Sequence, residues 1–219
     1  YRSRRVSHAM RVRAIRVAHQ AQRDLRHTPA CPGCNGTMIR ATIVGNGDQY
    51  ESNVRILRAE FRRFRGFDAV SILTSGHVVL VGEPGAGRSD VIEGLERVLS
   101  PEATRSRFPS EMDFLDRDTS QRAEVELVLG DLGRDLEQAF FDVLEVWNRE
   151  RRELVESEED PESIDRAELD FVVRLCYRAR WDEKQEQGEH WVDYPKTSDP
   201  AAGHFERVPR ADRATLRFS

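Results

Sequence analysis

Eight consecutive residues, Gly82-Glu83-Pro84-Gly85-Ala86-Gly87-Arg88-Ser89, constrain this chain more than any other stretch, because they join segments of different periodicity. Before them, His77-Val78-Val79-Leu80-Val81 is a compact apolar run that reads as a strand. After them, Asp90 to Leu99 places Val91, Leu95, Val98 and Leu99 on a helical period, and Pro101 stops that helix. The octet fits the pattern G-x-x-x-x-G-[K]-[ST] at every position but one, where Arg88 replaces Lys. A strand, a glycine loop and a helix in that order are what a phosphate-binding loop requires.

The chemistry explains the residue types. Glycines let consecutive backbone N–H groups converge on a phosphate, which a Cβ would obstruct. A helix starting near Arg88 points the positive end of its dipole at the same anion. Ser89 is the expected Mg²⁺ ligand, and the cation at position 88 reaches the β and γ phosphates. The expected ATP·Mg²⁺ site is therefore Gly82, Glu83, Pro84, Gly85, Ala86, Gly87, Arg88, Ser89 and Asp90. The bland alternative is a glycine turn that merely links a strand to a helix. Arg88 adds a second alternative, because a planar guanidinium favours forked contacts over the point-charge contact of an ammonium. Either it substitutes for Lys in a working site, or the site binds nucleotide and turns it over slowly or not at all.

Around this loop the chain reads as mixed β with few helices. Val54 to Phe61 alternates as a strand, Arg65-Gly66-Phe67 reads as a turn, and Val70 to Leu73 as a second strand. Residues 101–120 are polar and irregular, and Ala123 to Leu129 alternates like a strand with one wet face. Leu136, Phe140, Phe141, Leu144, Trp147 and Leu154 mark an apolar helical face from about Asp135 to Val155. Leu169, Phe171, Val173, Leu175, Tyr177 and Ala179 form the cleanest period-2 run. Trp191, Tyr194 and the pair Leu216/Phe218 suggest two further short strands. Residues 1–50 divide into a basic stretch and a loop-rich one and read as a flexible extension; 51–219 read as the domain.

Composition narrows the partners. The formal net charge of −5 gives no global nucleic-acid signature, yet residues 1–30 hold eight Arg against one acid, Asp24. That end is suited to DNA phosphates; a solvated leader or an organellar transit peptide are the other readings. Only two Lys, Lys184 and Lys196, stand against 32 Arg, so Arg at position 88 is in keeping with the whole chain. Three Cys do not make a disulfide framework, and no run approaches the ~18 apolar residues of a membrane span. The expectation is a soluble, cytoplasmic protein without a membrane partner. Because the chain begins at Tyr1 and ends inside a strand-like run, it also reads as part of something longer.

The stretch from Val54 to Leu99 resembles the start of the ABC-type ATPases that include RecF, SMC proteins and OLD-family nucleases. Their opening strand runs into an "NFRGF"-like segment, here Phe61-Arg62-Arg63-Phe64-Arg65-Gly66-Phe67, followed by a short strand, a hairpin, the phosphate loop and a helix. Met112-Asp113-Phe114-Leu115 before the next strand is similar to the OLD-type order. The chain departs in carrying Pro84 where Asn is usual and Arg88 where Lys is, and it shows no Walker B strand, signature motif or Toprim-like acidic cluster. The resemblance implies an α/β P-loop NTPase fold of ABC-ATPase type, with a mixed β-sheet and a helical insertion. It implies a DNA-linked ATPase, active as a homodimer or larger assembly once a C-terminal lobe or partner completes the site, with links to DNA repair or phage defence. The competing function is a non-catalytic nucleotide-binding regulatory subunit.

Weaker signals carry less. Cys31-Pro-Gly-Cys34 has the shape of a zinc half-site with His27 and His19 upstream, but a closed site needs four ligands and no second C-x-x-C exists. Arg62, Arg63 and Arg65 suit either a nucleotide- or DNA-facing role or a solvated edge. The acidic run Glu156, Glu158, Glu159, Asp160 reads as a solvated loop rather than a metal site. Trp147 with Phe140 and Phe141 is either core or a docking face, and Cys176 reads as core. No catalytic base stands out.

Overall fold

Strand β1 (Arg55–Phe64) turns back through Arg65 and Gly66 into β2 (Phe67–Leu73), a hairpin in which Phe61 faces Val70 and Phe64 faces Phe67. Residues 54–74, 78–155 and 166–216 are described by the structure, a computed structural model. The N-terminal basic stretch, Cys31 and Cys34, the acidic run at 156–160 and Phe218 lie outside them.

Helix α1 (Arg88–Leu99) and the short α2 (Pro101–Ser106) follow, with Pro101 at the first turn of α2, where its missing N–H costs nothing. Two 3-10 turns, Glu111–Asp113 and Leu115–Arg117, lead to β3 (Ala123–Gly130). Then come α3 (Gly133–Ala139), β4 (Leu144–Asn148), the two-residue β5 (Glu153–Leu154), the long β6 (Leu169–Asp182), β7 (Gln187–Asp193) and α4 (Arg210–Thr215). The sheet runs β2-β1-β3-β6-β4-β5, and β7 pairs with the second half of β6.

Every strand pairing is antiparallel among the described residues. This corrects the expectation of an α/β P-loop fold. A parallel sheet needs crossover connections that return each strand in the same direction, and these strands instead meet as hairpins and long antiparallel ladders. Two local misreadings explain the error. Val78 to Val81 is not a strand; Val79 and Val81 are 63% and 80% exposed and pair with nothing in the sheet. The supposed helix from Asp135 to Val155 stops at Ala139, and Leu144–Asn148 pairs with β6 as β4. There Arg174 grips Glu145 through two bonds of 2.9 Å across the strands. An available sheet edge and that forked pair override the helical spacing of Leu136, Phe140 and Leu144. Ala214 to Leu216, expected to open a strand, instead end α4 and form its cap.

One face of the sheet carries the core. Phe61, Val125, Leu127, Leu175, Tyr177 and Ala179 are almost fully buried there, and α1 lays Val91 and Val98 on them. The opposite face is a grid of charge. Arg58 and Arg62 on β1 meet Glu124 and Glu126 on β3, which meet Arg174 and Arg178 on β6, which in turn meet Glu145 and Asp193. So β3 has no wet face: Glu126 is buried and Val128 packs with Trp147 and Val172 in a second small core. Trp147 and Phe140 are core and Cys176 is fully buried, whereas Phe141 stands exposed.

Candidate functional site

The phosphate-type loop sits where the β1–β2 hairpin meets the start of α1. Gly87 occupies the N-cap position with φ +80°, and no side chain caps the helix. Four N–H groups at a helix start have no partner within the helix, so this end offers donors to an outside acceptor. Gly85 also has a left-handed backbone, φ +82°. At Gly87 the requirement is double: a Cβ there would lie 2.7 Å from Cζ of Phe67. The hairpin's aromatic ring therefore holds the loop from below, and only glycine allows both the turn and the approach.

Around this start, Gly85, Ala86, Gly87, Arg88, Ser89 and Asp90 line a hollow of about 140 Å³. Gly82, Glu83, Pro84 and Gly85 form its exposed approach, with Ala86 N–H donating to the Glu83 carbonyl at 3.0 Å. Arg88 and Ser89 are exposed, and among the described residues neither side chain has a hydrogen-bond or ion-pair partner. A pocket for a whole small ligand starts near ~300 Å³. The hollow therefore suits phosphoryl groups and leaves a base and ribose outside it. On donor chemistry the residues fit a phosphate: free N–H groups, one unpaired guanidinium and one free hydroxyl. They also fit Mg²⁺ held jointly by Ser89 and phosphate oxygens, which is how that ion is usually bound. No group of three or more His, Cys, Asp or Glu able to hold a metal alone occurs among the described residues.

The cations of the β1–β2 hairpin are committed elsewhere. Arg62 bonds Glu60 and lies 3.7 Å from Glu124; Arg63 reaches Asp68 at 3.8 Å and Asp118 at 3.2 Å. Arg65, held at φ +51°, touches three carboxylates: Asp113 through Nε at 2.9 Å, Asp90 through Nη1 at 3.1 Å and Glu93 through Nη2 at 3.8 Å. Burial alone would lower its pKa, but hydrogen bonds and charge from Asp113, Asp90 and Glu93 more than offset this and hold it above its ordinary value. Arg65, Phe67 and Asp113 are the residues of this site whose roles sequence reasoning missed. Their partners lie 20 to 48 positions away in the chain, and no local pattern marks such pairs.

A larger cleft, about 570 Å³, lies between the 108–117 segment and the β6–β7 hairpin, with Phe108, Met112 and Trp181 beside Glu111, Arg117 and Glu186. It shares no residue with the loop. Its charges of both signs and its exposed apolar rims supply no convergent donors, so size alone does not make it the better site. No helix among the described residues is long and apolar enough to cross a membrane. Compared with known families and proteins, the chain matches no family model and no curated protein sequence.

Proposed function

We propose that the chain binds ATP·Mg²⁺ through the loop Gly82–Ser89 and the first turn of α1. The observation that carries this reading is the uncapped start of α1 with an unpaired Arg88 and a free Ser89 hydroxyl at its mouth. In it, the backbone N–H groups of Gly85, Gly87, Arg88 and Ser89 bind the β phosphate, Arg88 reaches the γ phosphate, and Ser89 ligates the metal. Mg²⁺ held there would neutralise charge on the phosphates. Asp90, the one carboxylate among the residues lining the hollow, is engaged by Arg65 and is not free to activate water. Hydrolysis therefore belongs to an assembly in which a further lobe or a second subunit contributes the missing groups. The exposed apolar residues Val79 and Val81 directly before the loop support such an assembly.

The kinship with RecF, SMC and OLD ATPases remains part of this proposal, resting on the loop and on the Phe64–Phe67 segment that seats it. It keeps the phosphate loop without the parallel sheet. A DNA-linked role rests on the Arg-rich residues 1–30, since Arg58, Arg62, Arg63, Arg174 and Arg178 are all neutralised by carboxylates. Arg88 favours the second reading, a regulatory subunit that binds nucleotide without turnover, because a guanidinium fits a point-charge site less well. Titration with a fluorescent ATP analogue in the presence of Mg²⁺ tests the common core of both. Saturable binding, weakened by Gly87→Val and by Ser89→Ala, is expected; equal binding by wild type and both variants would remove the loop from the site.

A further inference from the structure

Asp90 poses a physical problem for an anion site. It stands in the first turn of α1 and lines the hollow itself, so its carboxylate competes with any phosphate for the positive end of the helix. Arg65 is its only ion-pair partner among the described residues. The two other acids on Arg65 are differently placed. Glu93 also pairs with Arg97 and Arg107, each at 2.9 Å, and Asp113 also faces Arg97 at 3.6 Å. Removing the charge of Arg65 therefore leaves Glu93 and Asp113 partnered and exposes Asp90 alone.

We infer that Arg65 is a positioning residue that neutralises Asp90 and draws it aside, so that the start of α1 is left free for a phosphate. The inference rests on the phosphate-loop reading above and deepens it. The ligand it describes is a polyphosphate whose binding is governed by the net charge around one helix turn. Three features make the device rigid. Arg65 N–H donates to the Asp113 carbonyl at 3.1 Å, its guanidinium lies 5.5 Å from the centre of the Phe64 ring, and Asp113 is buried. The fork thus reaches Asp90 from a fixed turn rather than from a mobile surface side chain.

Calorimetry with ATP and Mg²⁺ on the full chain tests it, with thermal melts confirming that each variant folds. Asp90→Asn alone is measured as the reference for the double variant, so that the coupling between the two positions is read from the cycle. Arg65→Gln should lose about tenfold, because the part-exposed Asp90 carboxylate repels a phosphate largely through water. The double variant Arg65→Gln/Asp90→Asn should recover most of the loss. Loss without recovery would make Arg65 a steric support only, and no loss at all would leave it without a role; either result overturns the inference. Weakened binding by Asp90→Asn alone would also overturn it, by giving the carboxylate a direct part in holding Mg²⁺. If Arg65→Gln does not fold, Arg65→Lys decides: near-native affinity supports charge neutralisation and a tenfold loss overturns it. A wild type that binds no ATP refutes the loop reading itself, and this inference falls with it.

Discussion

Arg88 and His190 show how much a single side chain can decide here. Arg88 is exposed and unpaired at the mouth of the loop, so its substitutions report on phosphate contact rather than on folding. Arg88→Lys is expected to keep or improve ATP affinity if the loop is built for a point charge. Arg88→Ala should lose about 1.5–3 kcal/mol, the usual strength of a charge-assisted bond. Calorimetry separates this from a site rebuilt around a guanidinium fork, in which Lys fails nearly as badly as Ala. His190 is stacked on Phe108 and bonded to the Thr104 carbonyl. Burial, with the nearby cations Arg97 and Arg213, pushes its pKa down, against a weaker upward pull from Thr104 and Asp113. The unfolded chain therefore takes up a proton first as pH falls below about 6.5, and stability is lost from there down to the folded pKa. Thermal melts between pH 7.5 and 5 should show a falling midpoint that flattens in His190→Gln, and parallel curves for the two proteins would discount the group.

The elements around the loop depend on one another more than on local propensity. Helix α1 is seated on β1 at Gly94, where an added Cβ would lie 2.5 Å from the Phe61 ring. Gly94→Ala raises intrinsic helix propensity, yet here it overpacks the contact and should destabilise by about 1–3 kcal/mol. A denaturant titration showing stabilisation would mean that the ring simply moves away. The same dependence explains what could be read in advance. The limits of α1, the Arg65–Gly66 turn and the alternation of β6 were legible because hydrophobic period and turn chemistry are local. The antiparallel order was not, since it is fixed by ladders joining Phe61 to Val125 and Val125 to Tyr177 across intervals of about 50 to 65 residues. Val78 to Val81 misled for a related reason. An apolar run says that a segment can be buried, but not whether this chain supplies the cover. Within the site, Gly85 to Asp90 line the hollow without the strand that the motif calls for ahead of them, while the supporting Arg65 and Phe67 come from a separate hairpin.

At the scale of the whole molecule, a helix-bearing apolar face is set against a face of alternating charge. Arg178 with Glu124 and Asp193, and Arg174 with Glu126 and Glu145, form two triads across four strands, and Arg62, Glu60 and Arg58 on β1 join them into one lattice. Most of these groups are well buried, so added salt screens them little. Removing one partner weakens a pair at low exposure: Asp193→Ala, which leaves Arg178 with Glu124 alone, is expected to cost about 1.5–3 kcal/mol. A loss below 1 kcal/mol in guanidine-free urea melts would show that water reaches the lattice after all. The closure of β1 on β3 also has a kinetic meaning. Both strands flank the loop and α1 in the chain, so docking them ties off a long segment before any of its contacts are rewarded. The hairpin that holds Phe67 and Arg65 forms quickly by itself, on the microsecond scale of local turns. The competence of Gly87 and Ser89 to hold an anion must wait for the slow global step, so refolding chains should recover ATP binding at the same rate as their tryptophan fluorescence and never ahead of it.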